Sequence, residues 1–195
     1  MRKCLPAILL LIMSLGTMAQ PVTDHIGRDE LYIVKAGPDE NDLPKTRLSE
    51  LKSFKTAEQQ YGLNYTASRF MNNLNDKPFI GMVYDNGLEL YIPDDGSLNG
   101  NPIFHIRSDN YILLRSNGQK IQVGMVGSEL ESIFPKSYAN KRIITGRQGR
   151  AGKTVITVFY SFISGNVLTI FDSCIEFILS EDGSFLEEIY SYEPG

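Results

Sequence analysis

Five basic residues, Lys141, Arg142, Arg147, Arg150 and Lys153, fall between positions 141 and 153 with no acidic residue among them, in a chain whose net charge is −4. A run of cations in an acidic protein suits either a solvated loop or a loop that holds an anion or an acidic partner. Its central part, Gly146-Arg147-Gln148-Gly149-Arg150-Ala151-Gly152-Lys153-Thr154, superficially resembles a phosphate-binding loop. The spacing fails, because Arg147 stands where the first glycine belongs. The context fails too: such a loop opens a helix, and Thr154 to Phe159 reads as a strand.

Other candidate chemistry is thinner. Only two histidines are present. His25 lies in the N-terminal segment. His105, in Ile103-Phe104-His105-Ile106-Arg107, points away from Phe104 and Ile106 and reads as a half-exposed sheet residue. With no second histidine or cysteine nearby it makes a poor zinc ligand, and no nucleophile-elbow motif accompanies it. Asp95 to Gly100 imitates the start of a calcium loop, but Ile106 stands where the closing glutamate belongs. Asp94/Asp95 and Glu187/Glu188 are adjacent pairs, which a strand sends to opposite faces. No metal site, cofactor or catalytic group is expected. Ten tyrosines and no tryptophan supply the aromatic material for sheet packing or a binding face.

The elements that position these residues can be read next. Met1-Arg2-Lys3, the apolar run Leu5 to Met13 and the small residues before Ala19 have the grammar of a cleavable signal peptide. The run is shorter than the roughly 20 residues of a membrane span. The expectation is an exported protein, periplasmic or extracellular, with no integral membrane insertion after cleavage. Cys4 precedes the apolar run, so a lipid anchor there is not expected. Only Cys174 would remain, as a buried thiol in the apolar run Cys174 to Leu179. The acidic balance excludes general nucleic-acid binding.

Three segments repeat at a constant offset of 79 residues. Tyr32-Ile33-Val34 matches Tyr111-Ile112-Leu113, Ser49 to Phe54 matches Ser128 to Ile133, and the turn Asp85-Asn86-Gly87 matches Ser164-Gly165-Asn166. Ser49 and Ser128 suit helix N-caps. The first helix is expected over Leu48 to Tyr61, stopped by Gly62, and the second over Ser128 to Phe134, stopped by Pro135. Asn86-Gly87 suits a type I′ hairpin turn. Strands are expected over 79–84, 88–92, 103–107, 111–115, 155–163, 167–171, 174–179 and 185–192. Tyr65 to Lys77 is left as a short helix or a loop. The fold class expected is α+β, in two tandem units, each a short helical segment on a three- to four-stranded antiparallel sheet. The divisions are a signal peptide (1–19), a flexible segment (20–30), a first unit (31–107) and a second (108–195).

The segment Ile121-Gln122-Val123-Gly124-Met125-Val126-Gly127-Ser128-Glu129-Leu130-Glu131-Ser132-Ile133-Phe134 resembles the start of the helical part in the β-lactamase-inhibitor-protein-like and BamE (SmpA/OmlA) lipoprotein group. The departures are the missing lipobox and the missing second cysteine of each inhibitor unit. The resemblance implies a small helical hairpin on a short antiparallel sheet, used as a non-enzymatic protein-binding scaffold. Three functions are therefore carried forward. The first is an exported protein-binding scaffold of inhibitor or immunity type, its partner a protein. The others are an envelope-assembly component and a hydrolase of unrecognised type.

Overall fold

The computed structural model describes residues 23–37, 45–71, 78–93, 103–146 and 150–192. The expected signal peptide, the calcium-like loop 95–100, Asp94 and Arg147 lie outside them.

Of the described residues 52% are in strands and 18% in helices. The strands are β1 (His25–Gly27), β2 (Leu31–Lys35), β3 (Tyr65–Met71), β4 (Pro78–Tyr84), β5 (Leu88–Pro93) and β6 (Ile103–Ile106) in the first half. The second half holds β7 (Tyr111–Arg115), β8 (Lys120–Gln122), β9 (Arg142–Ile143), β10 (Thr154–Ser164), β11 (Val167–Leu179) and β12 (Leu186–Tyr192). The helices are α1 (Phe54–Tyr61), α2 (Gly127–Ile133) and α3 (Pro135–Ala139).

The expectation of two α+β units, each with its own small sheet, is corrected. One nine-stranded mixed sheet spans both halves in the order β1-β10-β11-β12-β6-β5-β4-β3, with β9 also on β10. The join is β12 on β6, where Ile189 pairs with Ile106 and Tyr190 with His105. Two short meanders would each leave an apolar edge open; hydrogen-bonding the edges to each other satisfies both backbones. A second sheet, β2-β7-β8, likewise takes strands from both halves, and Ile33 pairs with Leu113 within it. The matched segments Tyr32-Ile33-Val34 and Tyr111-Ile112-Leu113 are thus antiparallel neighbours.

Local chemistry explains why the helices are short. The expected helix 48–61 is broken: Leu48–Glu50 is one 3-10 turn and α1 starts only at Phe54. Its N-cap is Ser53, whose side chain accepts from the Thr56 N–H, rather than Ser49. Ser49 instead hydrogen-bonds Asp29. The break lets Leu51 turn inward to 1% exposure. Pro135 ends α2 and opens α3, since a proline at the first helical position lacks only an N–H that would be unpaired anyway. Tyr65 to Met71, left as helix or loop, is the edge strand β3, paired along its whole length with β4.

Alternation along the nine strands splits the sheet into two faces. The inner face, with Leu90, Phe104, Ile156, Phe177 and Ile189, packs on the small sheet and the helices to form one core. The approach is closest at Gly127, where an added Cβ would lie 2.5 Å from the Gly183 carbonyl oxygen. The outer face carries a small apolar cluster, Ile144, Val155 and Ile178, and the polar groups described next.

Candidate functional site

β5, β6 and β12 run side by side, with Glu89 opposite His105 and His105 opposite Tyr190. All three therefore project from the outer face. A register shift between Ile178 and Leu179 marks a bulge in β12 at Glu187. That extra residue breaks the alternation, so Glu187 and Glu188 both reach the same lysine. The connection from β9 to β10 folds back on itself, with Ile144 N–H on the Lys153 carbonyl and Gly152 N–H on the Ile144 carbonyl, both at 2.9 Å. This brings Arg150 and Lys153 over the outer face.

The imidazole of His105 sits at the centre of the group, 2% exposed. Its Nε2 is 2.7 Å from Glu188 Oε2, and Arg107 Nε donates to its Nδ1 at 3.0 Å. Arg150 Nη2 also lies 3.1 Å from the same Nε2. Arg150 Nη2 donates to the same Glu188 oxygen at 2.7 Å. Lys153 Nζ lies 2.7 Å from Glu187 and 3.4 Å from Glu188. Glu89 accepts from Tyr91 at 2.5 Å and pairs with Arg107 at 3.2 Å. The Tyr190 ring meets the imidazole edge-on at 5.4 Å, and Arg150 lies over that ring at 5.2 Å.

The hydrogen bond from His105, assisted by Arg150, holds the Glu188 carboxyl down at about 2, against its partial burial. Lys153 is raised, chiefly by its bond to Glu187. Tyr91 is raised by burial and by its bond to Glu89. Cations and carboxylates thus hold one another, and the network clamps the β9–β10 connection onto the sheet. His105, expected half-exposed, is buried within it.

The five basic candidates separate. Arg150 and Lys153 belong to this clamp. Arg142 reaches Glu176 at 2.9 Å from the outer edge, its side chain 57% exposed and that of Glu176 0%. Lys141 lies over the Tyr138 ring at 3.8 Å. Arg147 is outside the described residues. Cys174 is buried, as its sequence context indicates. Among the described residues no group of three or more His, Cys, Asp or Glu could hold a metal ion. No helix among them is long and apolar enough to cross a membrane.

Sequence reasoning missed the most exposed apolar surface. The outer ends of β10 and β11, joined at Gly165-Asn166, form a two-stranded arm. Ser161 pairs with Ile170, Phe162 with Thr169, Ile163 with Leu168 and Ser164 with Val167. Gly165 takes the left-handed conformation that this tight turn needs, at φ 61°. Phe162 is 47% exposed, Ile163 67%, Val167 64%, Leu168 45% and Ile170 51%. Ile163, Leu168 and Ile170 share one face of the arm, and Phe162 and Val167 the other. Single exposed apolar residues are ordinary, but adjacent ones on one face mark an interaction site. β1 pairs with β10 only as far as Ser161, and β12 with β11 only from Cys174. Among the described residues no strand flanks the arm beyond those points. The signal in the sequence was charge: no charged residue occurs from Thr154 to Phe171.

No protein family, no curated protein and no solved structure matches the chain, so the resemblance of residues 121–134 to the inhibitor-like and BamE group gains no further support.

Proposed function

We propose that the protein is an exported, non-enzymatic binding scaffold whose β10–β11 arm engages a protein partner. The observation that carries this reading is the arm itself, with five large apolar side chains exposed on an uncharged, two-stranded projection. An isolated hairpin is marginal in water, and a β-edge without a neighbour is a template for strand addition. The clamp supports the non-catalytic part of the reading. The imidazole is buried among the protein's own carboxylates and guanidiniums, which leaves its ring nitrogens no outlet to a substrate.

The test is a capture experiment with tagged chain as bait, against envelope and secreted fractions and against untagged chain. A protein retained in stoichiometric amount, and lost when Ile163 and Leu168 are both replaced by Ser, supports the reading. Retention that is unchanged in that variant, or no retention of any protein including the chain itself, overturns it.

A further inference from the structure

We infer that the partner of the arm is a second copy of this chain, paired antiparallel along β11 about a two-fold axis. The inference rests on the reading that the arm binds protein, and it specifies which protein.

At the offset of 79, Tyr84 and Leu88 correspond to Ile163 and Val167. Tyr84 is 3% and Leu88 0% exposed: both lie in the core, and β3 flanks their hairpin on one side and β6 on the other, with Tyr65 opposite Tyr84 and Leu88 opposite Ile106. In the β10–β11 hairpin the register is shifted by one, with Ile163 opposite Leu168 and Ser164 opposite Val167, and no strand flanks it there among the described residues. Each edge of the β4–β5 hairpin is, by contrast, covered by an added antiparallel strand.

A second copy supplies such a strand in β11 itself. A two-fold axis normal to the sheet sets same-face residues opposite one another. Centred on Thr169, it places Leu168 opposite the second copy's Ile170, and Val167 opposite its Phe171. From Val167 to Phe171 every cross-strand pair is then apolar or threonine on threonine. The arm has no charge to repel its own copy and none to select a charged partner. Val167, Leu168 and Ile170 meet their counterparts across the axis, and Phe162 and Ile163 flank them on β10. The five side chains expose on the order of 500 Å² per copy, so covering all of them would bury about 1,000 Å² in total, the lower limit for a specific interface. Lipid fits less well, because insertion would carry the open backbone edge of Val167 to Ile170 into hydrocarbon, where each unpaired group is costly.

The oligomeric state of the full chain decides the matter, measured by light scattering from low to high micromolar concentration. The expected result is a concentration-dependent doubling of mass. Leu168→Glu/Ile170→Glu and Leu168→Lys/Ile170→Lys should each be monomeric and should form a mixed dimer when combined. Thr169→Cys in a Cys4→Ser background should give a reducible covalent dimer, with buried Cys174 not taking part. A wild-type chain that stays monomeric throughout overturns the inference, as does a dimer that both charge variants leave intact. Binding of the monomer to phosphatidylcholine vesicles in place of dimerisation also overturns it. If the chain is monomeric while the arm still captures a different protein, the inference fails and the proposed function stands.

Discussion

Leu88 and Val167 each open the second strand of a hairpin, 79 residues apart in the sequence, one 0% exposed and the other 64%. The difference lies in the neighbours. Leu88 faces the core, and β6 lies alongside it. The corresponding stretch of the second half, 182–185, is taken up by the turn into β12, where Ser180 and Ser184 hydrogen-bond to Asp182. A strand that would have flanked the arm is spent on a turn, and the arm is left for something else to cover.

Substitutions at the two positions should therefore differ sharply in the isolated protein. Leu88→Ala removes a fully buried side chain and should cost about 2–5 kcal/mol. Val167→Ser and Ile163→Ser should each stay within roughly 0.5 kcal/mol of the parent, as surface changes do. Urea denaturation at a concentration where the chain is monomeric reads both. If the arm changes cost as much as Leu88→Ala, the arm is packed on the body.

Strand positions were largely legible because alternation is a local signal: Leu88 to Ile92 and Ile103 to Arg107 carry their pairing pattern in their own residues. Sheet membership was not. Nothing within β12 or β6 announces that Tyr190 lies opposite His105, since strand pairing across more than 80 residues is decided by what else is available. The clamp was half visible, as a run of cations without acids. Its carboxylates were missed because the bulge at Glu187 cancels the period on which the opposite-face argument rests. The arm was hidden for another reason. An apolar, β-favouring run reads as core, and only the absence of flanking strands makes it surface.

The helix start offers a direct contrast between two serines. Ser53 caps α1 by accepting from the Thr56 N–H at 3.2 Å. Ser53→Ala should cost about 1 kcal/mol. Ser49, the cap expected from sequence, only donates to exposed Asp29, so Ser49→Ala should cost less, within roughly 0.5 kcal/mol. Thermal denaturation of the two variants gives the order, and a larger loss for Ser49→Ala would place the helix start earlier.

Glu176 is fully buried and pairs with the half-exposed Arg142. Removing one member of such a pair strands the other's charge. Arg142→Ala should cost on the order of 2 kcal/mol, below the usual value for a buried pair because water already reaches the guanidinium. Adding Glu176→Gln should recover part of the loss, since an amide is cheaper to bury than an unpaired carboxylate. A double-mutant cycle in urea measures the coupling. Additive losses would mean that the two side chains do not act as a pair.

Glu188 ties the clamp to pH. Its carboxyl is held at about 2, below the ordinary 4.5, so the folded state binds this proton less readily than the unfolded chain. The stabilisation is present in full above about 4.5 and is lost as pH falls towards 2. Solvent reaches part of the network, so the carboxyl's contribution at neutral pH is on the order of 1–2 kcal/mol, less than the unscreened shift would give. Glu188→Gln should lower stability at pH 7 by about that order and flatten the acid limb between pH 5 and pH 2, in urea midpoints measured across that range. Arg150→Gln removes one of the two donors on the same oxygen and should produce a smaller loss over the same window. Parallel acid limbs for the parent and Glu188→Gln would show that the carboxyl titrates normally and that the clamp does not hold the β9–β10 connection in place.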